Sequence, residues 1–195
     1  MKKLTKPLFA LLLLMAMPAA QANLIVNGGF ETGHFSGWTL SGNLYRTYES
    51  VVSSSDFTPH SGNYSAEFGP FGSLAYLSQS FATQIGATYN LDFWLANQGG
   101  TPNSFAVSVD NFASTLFSAT DNPEAFGWTD YSKPFVATGT NTKLSFSFQQ
   151  DPHYYYLDDV SVTGGSANVP EPGTMALFAI GMVAMGAFKR GNKAA

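Results

Sequence analysis

The chain has 195 residues, no cysteine and a formal net charge of −4. Six of its nine Lys and Arg lie in residues 2–6 and 189–193, so that over residues 23–169 only Arg46, Lys133 and Lys143 stand against twelve Asp and Glu. Such an acidic middle has no footprint for a phosphate backbone, which excludes nucleic acid as a main partner, and the lack of thiols excludes disulfides, thiolate metal sites and cysteine nucleophiles.

The first residues carry Lys2, Lys3 and Lys6, then the apolar run LFALLLLMAMPAA, then Ala20-Gln21-Ala22. A positive start, an apolar run of this length and an A-x-A cleavage site predict a signal peptide over residues 1–22 and hence an exported protein. Residues 23–168 have the size of one domain with one core.

Along that domain, short alternating runs are separated by Gly, Asn, Ser and Pro. The first strand is predicted at Leu24–Val26, followed by the Gly-rich NGGFETGHFSGW, which reads as a turn wrapping one end of the fold. SDFTPHSGN and GPFGS read as turns. Tyr89, Leu91, Phe93 and Leu95 then share one face of a strand, with Trp94 offset by one, either pointing outward or packed under a second layer or loop. After GTPNS come Phe105, Val107 and Val109. A short helical turn is expected around Asp121–Phe126, and ATGTN precedes Leu144, Phe146 and Phe148. The last strand is predicted at Tyr155–Val162. Three consecutive aromatics, Tyr154 to Tyr156, cannot all face inward. Many strands and no βα alternation predict an all-β, antiparallel sandwich with its two ends side by side.

Little in this pattern suggests catalysis. His34, His60 and His153 lack ligand spacing and read as surface or turn residues. There is no H-E-x-x-H and no G-x-S-x-G, and twelve acids specify no catalytic pair, so no enzyme is expected. Binding is easier to motivate, because exposed rings stack on ligands while Asn, Gln and Asp supply hydrogen bonds. The candidate carbohydrate contacts are Trp38, Tyr45, Trp94, Trp128 and Tyr154. Asp158 and Asp159 are adjacent on a predicted strand and point to opposite faces, unless the strand bulges or ends there. With Glu31 and main-chain oxygens they are candidate ligands for a structural Ca2+ ion, or else simply solvated carboxylates.

The tail, residues 169–195, reads Val169-Pro170-Glu171-Pro172-Gly173, then the mostly apolar Thr174–Phe188, then Lys189, Arg190 and Lys193. It resembles the PEP-CTERM sorting signal of Gram-negative bacteria. That resemblance implies recognition of Pro170, Glu171 and Pro172 by an exosortase-type membrane protease, and delivery to the cell envelope, cell surface or medium of an exopolysaccharide- or biofilm-forming cell. As a helix, residues 174–188 would rise about 22 Å against a hydrocarbon core of about 30 Å. This suits a transient transmembrane segment with its basic end cytoplasmic. The middle resembles jelly-roll, galactose-binding-like sandwiches of carbohydrate-binding modules, through NLIVNGGFETGHFSGW, HSGNYSAEFG, LSQSFATQIGATYNLDFWLAN and LDDVSV. In such modules the Glu of the opening motif and an Asp of the closing motif often support calcium, which the resemblance carries to Glu31 and to Asp158 or Asp159. Two functions follow as expectations: a non-enzymatic exported protein that binds carbohydrate or exopolysaccharide, or a structural matrix protein with no glycan site.

Overall fold

The computed structural model describes residues 22–44, 49–53, 57–110 and 112–165. The expected signal peptide, Tyr45, the Pro170-Glu171-Pro172 element and the 174–188 segment fall outside these residues. Ten strands form two five-stranded antiparallel sheets, in which β1 (Thr39–Gly42), β4 (Ala75–Ala82), β9 (Asn141–Gln150), β6 (Asn103–Val109) and β7 (Ser114–Thr120) make the first in that spatial order. The second runs β2 (Glu49–Ser53), β3 (Tyr64–Phe68), β10 (Tyr155–Gly164), β5 (Thr88–Asn97) and β8 (Phe126–Val136). This is the expected jelly-roll sandwich. No helix among the described residues is long and apolar enough to cross a membrane.

Side chains alternate between faces along a strand, so the predicted apolar sets become the two inner faces. Tyr89, Leu91, Phe93 and Leu95 of β5 are buried against Phe105, Val107 and Val109 of β6 and Leu144, Phe146 and Phe148 of β9. The layers interlock through rings. Phe93 meets Phe146 edge to face at 5.4 Å, and Phe68 stacks on Phe148 at 3.9 Å. Such pairs add about 0.5–1.5 kcal/mol each beyond the area they bury.

Two local expectations are corrected. Leu24–Val26 is not a strand: only Leu24 N reaches across to Val162 O, at 2.9 Å, because the Asn23 side chain takes the neighbouring amides of Ile25 and Val162 instead. That contact still sets the two ends of the domain side by side. The stretch Asp121–Phe126 bends without a helical turn, because Asn103 bonds both the N–H and the C=O of Asn122 and holds the chain extended into β8.

The Gly-rich opening does wrap one end. Asn27 adopts a left-handed conformation (φ 55°) and its side-chain amide donates to the carbonyls of His34 and Ser36, closing a tight loop. Phe30 and Trp38 are thereby folded into the core, where they stack at 5.9 Å, and the Trp38 indole N–H donates to the Asn27 carbonyl at 3.1 Å.

Candidate functional site

The closing motif bulges where its acids sit. Asp158 pairs with Trp94 of β5, but the next partners are Ser161 and Asp92, so β10 carries one extra residue, and Asp159 takes a left-handed φ of 49°. The bulge turns both carboxylates toward the same segment, the turn between β2 and β3. Asp158 Oδ2 accepts the amides of His60 (3.0 Å) and Ser61 (3.2 Å), and its Oδ1 accepts the Asp159 amide at 2.7 Å. Asp159 lies 2.6 Å from His60 Nδ1 and accepts the Ser61 hydroxyl at 2.7 Å. Glu31, from the opening loop, accepts the amides of Asn63 and Tyr64 at 3.0 and 3.1 Å.

Three carboxylates thus clasp one segment, His60 to Tyr64. Two glycines make room for it. At Gly28 a Cβ would run into the Val160 carbonyl oxygen, and at Gly62 (φ 61°) it would run into the Glu31 carboxylate. Asp158 is fully buried, and desolvation pushes its carboxyl up to about 7 despite three lowering N–H contacts, with Asp159 adding repulsion.

Calcium takes six to eight oxygen ligands. Here the acidic oxygens accept N–H and O–H donors of residues 60–64 and of Asp159. Among the described residues no group of three or more acidic, His or Cys side chains could hold a metal. The set as folded does not fit an ion cage; it fits a hydrogen-bonded clasp.

The clasped segment lies over the outer face of the second sheet. Phe57 stacks on Tyr156 at 3.7 Å, His60 stacks on Trp94 at 3.7 Å, and the Trp128 indole N–H donates to the Thr58 carbonyl at 2.9 Å. Trp128 meets Phe57 edge-on at 5.7 Å, and Tyr154 meets Tyr156 at 6.3 Å. Trp94, Trp128 and Tyr154 are half-buried, leaving part of each ring open.

From Trp94 the outer face continues as cross-strand rows over β10, β5 and β8. Asp158, Trp94 and Asp130 make one row; Ser161, Asp92 and Ser132 the next; Thr163, Asn90 and Pro134 the third. The Asn90 amide donates to both Asp92 oxygens at 2.8 Å and to the Ser132 hydroxyl at 2.9 Å. The lane ends in an open depression of about 370 Å³ bounded by Thr88, Asn90, Pro134, Thr163 and Gly164. A strip of rings therefore runs into a lane of hydroxyl, amide and carboxylate groups.

Residues 30–163 match the family model described as "Protein of unknown function (DUF642)". The chain belongs to the DUF642 family. Residues 168–190 match the PEP-CTERM protein-sorting motif, as expected from the tail, which marks this DUF642 protein as one handled by an exosortase sorting system and exported to the surface or beyond. Among solved structures, the domain is similar to TmCBM61 in complex with β-1,4-galactotriose (23% identity, TM-score 0.57, 73% of this chain and 99% of that one). It is similar also to the CBM22-1 xylan-binding domain of Paenibacillus barcinonensis Xyn10C (18%, 0.52, 76% and 99%). A third is the K3 cleaved adhesin domain of Lys-gingipain from Porphyromonas gingivalis (20%, 0.57, 74% and 99%). At these identities the likeness establishes the fold. Endo-1,4-beta-xylanase A of Thermoanaerobacterium saccharolyticum is 28% identical over 162 residues, which cover 77% of this chain and 14% of that enzyme, so the chain spans a small part of the curated relative it matches.

Of the candidate contacts, the DUF642 domain brings Trp94, Trp128 and Tyr154 onto one outer face. Trp38 is corrected: it is buried between the layers, because the loop closed by Asn27 turns its ring inward, and it cannot stack on a ligand. Glu31, Asp158 and Asp159 do converge, on a chain segment. Asn90, Asp92, Asp130 and Ser132 were missed. The period-two pattern that marked Tyr89 to Leu95 as inward places Asn90 and Asp92 on the same outward face as Trp94, and that was the signal available. His60 reads from the sequence only as a surface or turn residue, since its partners lie 34 and 99 positions away.

Proposed function

We propose that this DUF642 protein is a non-enzymatic, exported carbohydrate-binding protein whose glycan lies along the outer face of the second sheet. The observation that carries this reading is the continuity of that face, from the half-open rings of Trp94 and Trp128 through Asp130, Asp92, Ser132 and Asn90 to the depression at Thr88 and Thr163. Rings offer apolar faces to a sugar's C–H side, and neighbouring carboxylates, amides and hydroxyls take its hydroxyls. The solved relatives named as galactotriose- and xylan-binding modules support the same ligand class. Delivery would follow from a cleaved signal peptide over residues 1–22 and transient membrane insertion of residues 174–188 in a Gram-negative cell. An exosortase-type protease would act at Pro170, Glu171 and Pro172.

The test is affinity electrophoresis of the full chain, purified in mild detergent, through gels containing xylan or β-1,4-galactan. The expected result is retardation in at least one gel and its loss in Trp94→Ala, with the variant's melting transition still cooperative. A folded wild type that runs unretarded in every polysaccharide overturns the reading and leaves the structural matrix role.

A further inference from the structure

The lane carries a charge pattern that narrows the ligand. Asp92 and Asp130 sit in adjacent rows on the outer face, with Asp159 beyond Trp94 and held on His60. Neither Asp92 nor Asp130 is paired with a base among the described residues. The two described lysines are elsewhere: Lys133 alternates to the other face of β8, where its Nζ lies 5.1 Å from the Phe117 ring, and Lys143 belongs to β9 of the first sheet. Among the described residues His60 is the basic group close by, and its Nδ1 is already taken by Asp159. The acids do not stand alone: they flank a half-open tryptophan and lead into an open depression with hydroxyls at its rim.

Resting on the carbohydrate reading above, we infer that the lane from Trp94 to Thr88 selects a glycan bearing free amines, an amino-sugar polymer, over neutral and anionic chains. A uronate or sulfated chain would bring negative charge against Asp92 and Asp130, with no Lys or Arg among the described residues of the lane to offset it, and like charges repel more strongly the closer they come. A neutral chain would leave both carboxylates as ordinary acceptors. An ammonium group placed between the Trp94 and Asn90 rows meets carboxylates on two strands at once, Asp92 of β5 and Asp130 of β8. The Asn90 amide braces Asp92 by donating to both its oxygens, which fixes the carboxylate in the lane and leaves its remaining lone pairs for a ligand.

The experiment compares gels containing glycol chitosan, its N-acetylated counterpart glycol chitin, neutral xylan, or polygalacturonate, run with the full chain in mild detergent. Because an acidic protein is attracted to any polycation, two variants of equal charge change are run beside the wild type. One is Asp92→Asn with Asp130→Asn, in the lane; the other is Asp121→Asn with Glu124→Gln, around the turn before β8. The expected result is stronger retardation in glycol chitosan than in glycol chitin. That excess should fall several-fold in the lane variant, hold in the control variant, and weaken as salt is raised. Equal retardation in the two chitin derivatives, in xylan alone, or most strongly in polygalacturonate overturns amine selection while the carbohydrate reading survives. An equal loss in both variants reduces the effect to bulk charge and also overturns it. No retardation in any gel by folded protein brings down both.

Discussion

The two sheets share one core, yet their outer faces are built from different chemistry. On the first sheet the central outward rows are mostly small: Ser78, Ser145 and Ser108 align across β4, β9 and β6, and Ser147 and Ala106 follow Tyr76 in the row beside them. Three of these hydroxyls turn back on the sheet, Ser78, Ser108 and Ser147 donating to carbonyls of neighbouring strands at 3.4–3.5 Å, while that of Ser145 is buried without a partner among the described residues. On the second sheet the outward rows carry the larger or charged Trp94, Tyr156, Asp92 and Asp130, of which Asp92 is braced by Asn90 of its own strand. Part of that face is covered by a clasped segment and part lies open.

The sharpest way to test that contrast is to remove a ring from inside and a ring from outside. Trp38 fills the core and touches Phe30 and Phe146. Trp38→Ala should cost about 3–5 kcal/mol of stability, the usual range for deleting a buried large aromatic. Its retardation in polysaccharide gels, measured on the fraction that remains folded, should be unchanged. Trp94→Ala should show the reverse pattern, with a far smaller change in denaturant midpoint and lost retardation. If the two variants lose binding together in proportion to their stability, the inner and outer roles are not separate.

A second, smaller effect concerns the clasp. Gly28→Ala drives a methyl into the Val160 carbonyl and must displace the bulge that presents Asp158 and Asp159. Overpacking of this kind costs about 1–3 kcal/mol. Because the bulge holds His60 over Trp94, the variant's tryptophan fluorescence should also change, and wild-type fluorescence would show the His60 stack to be independent of the bulge.

How far these contrasts could be read from the chain depends on the range of the interaction behind them. Alternation along Tyr89–Leu95 or Leu144–Phe148 is local, so the inner faces were legible, and with them the sandwich. The possibility of a bulge at Asp158-Asp159 was legible too, because adjacent acids on a strand raise the question of which one faces in. What the chain hides is where a turn goes. SDFTPHSGN reads as an ordinary turn, and nothing local says that Phe57 and His60 will land on Tyr156 and Trp94. Trp38 was misplaced for a related reason: it follows Gly37 in a loop-like sequence, and its ring is turned inward by hydrogen bonds from Asn27 rather than by strand periodicity. The acids were found, but most of their donors are main-chain amides, which leave no mark in the sequence.

The finest test concerns Asp158, a buried carboxylate whose charge its N–H donors do not fully offset. Asp158 is raised from 3.8 to about 7 by burial, so above that range the folded domain holds a buried charge that the unfolded chain keeps in water. As pH falls from about 7 toward 3.8, the folded state takes up a proton that the unfolded state does not, and this group's contribution must make the domain more stable. Below 3.8 both states are protonated and the gain stops. Asp158→Asn cannot take up that proton. The variant has its own constant offset, since an amide NH2 would face the Asp159 amide now bonded to Oδ1. The informative quantity is therefore the slope: denaturant midpoints taken across this range should rise more steeply toward acid in the wild type than in Asp158→Asn. Parallel curves would mean that the clasp neutralises Asp158 fully through its N–H donors, and the half-covered face would then be held by hydrogen bonds insensitive to pH.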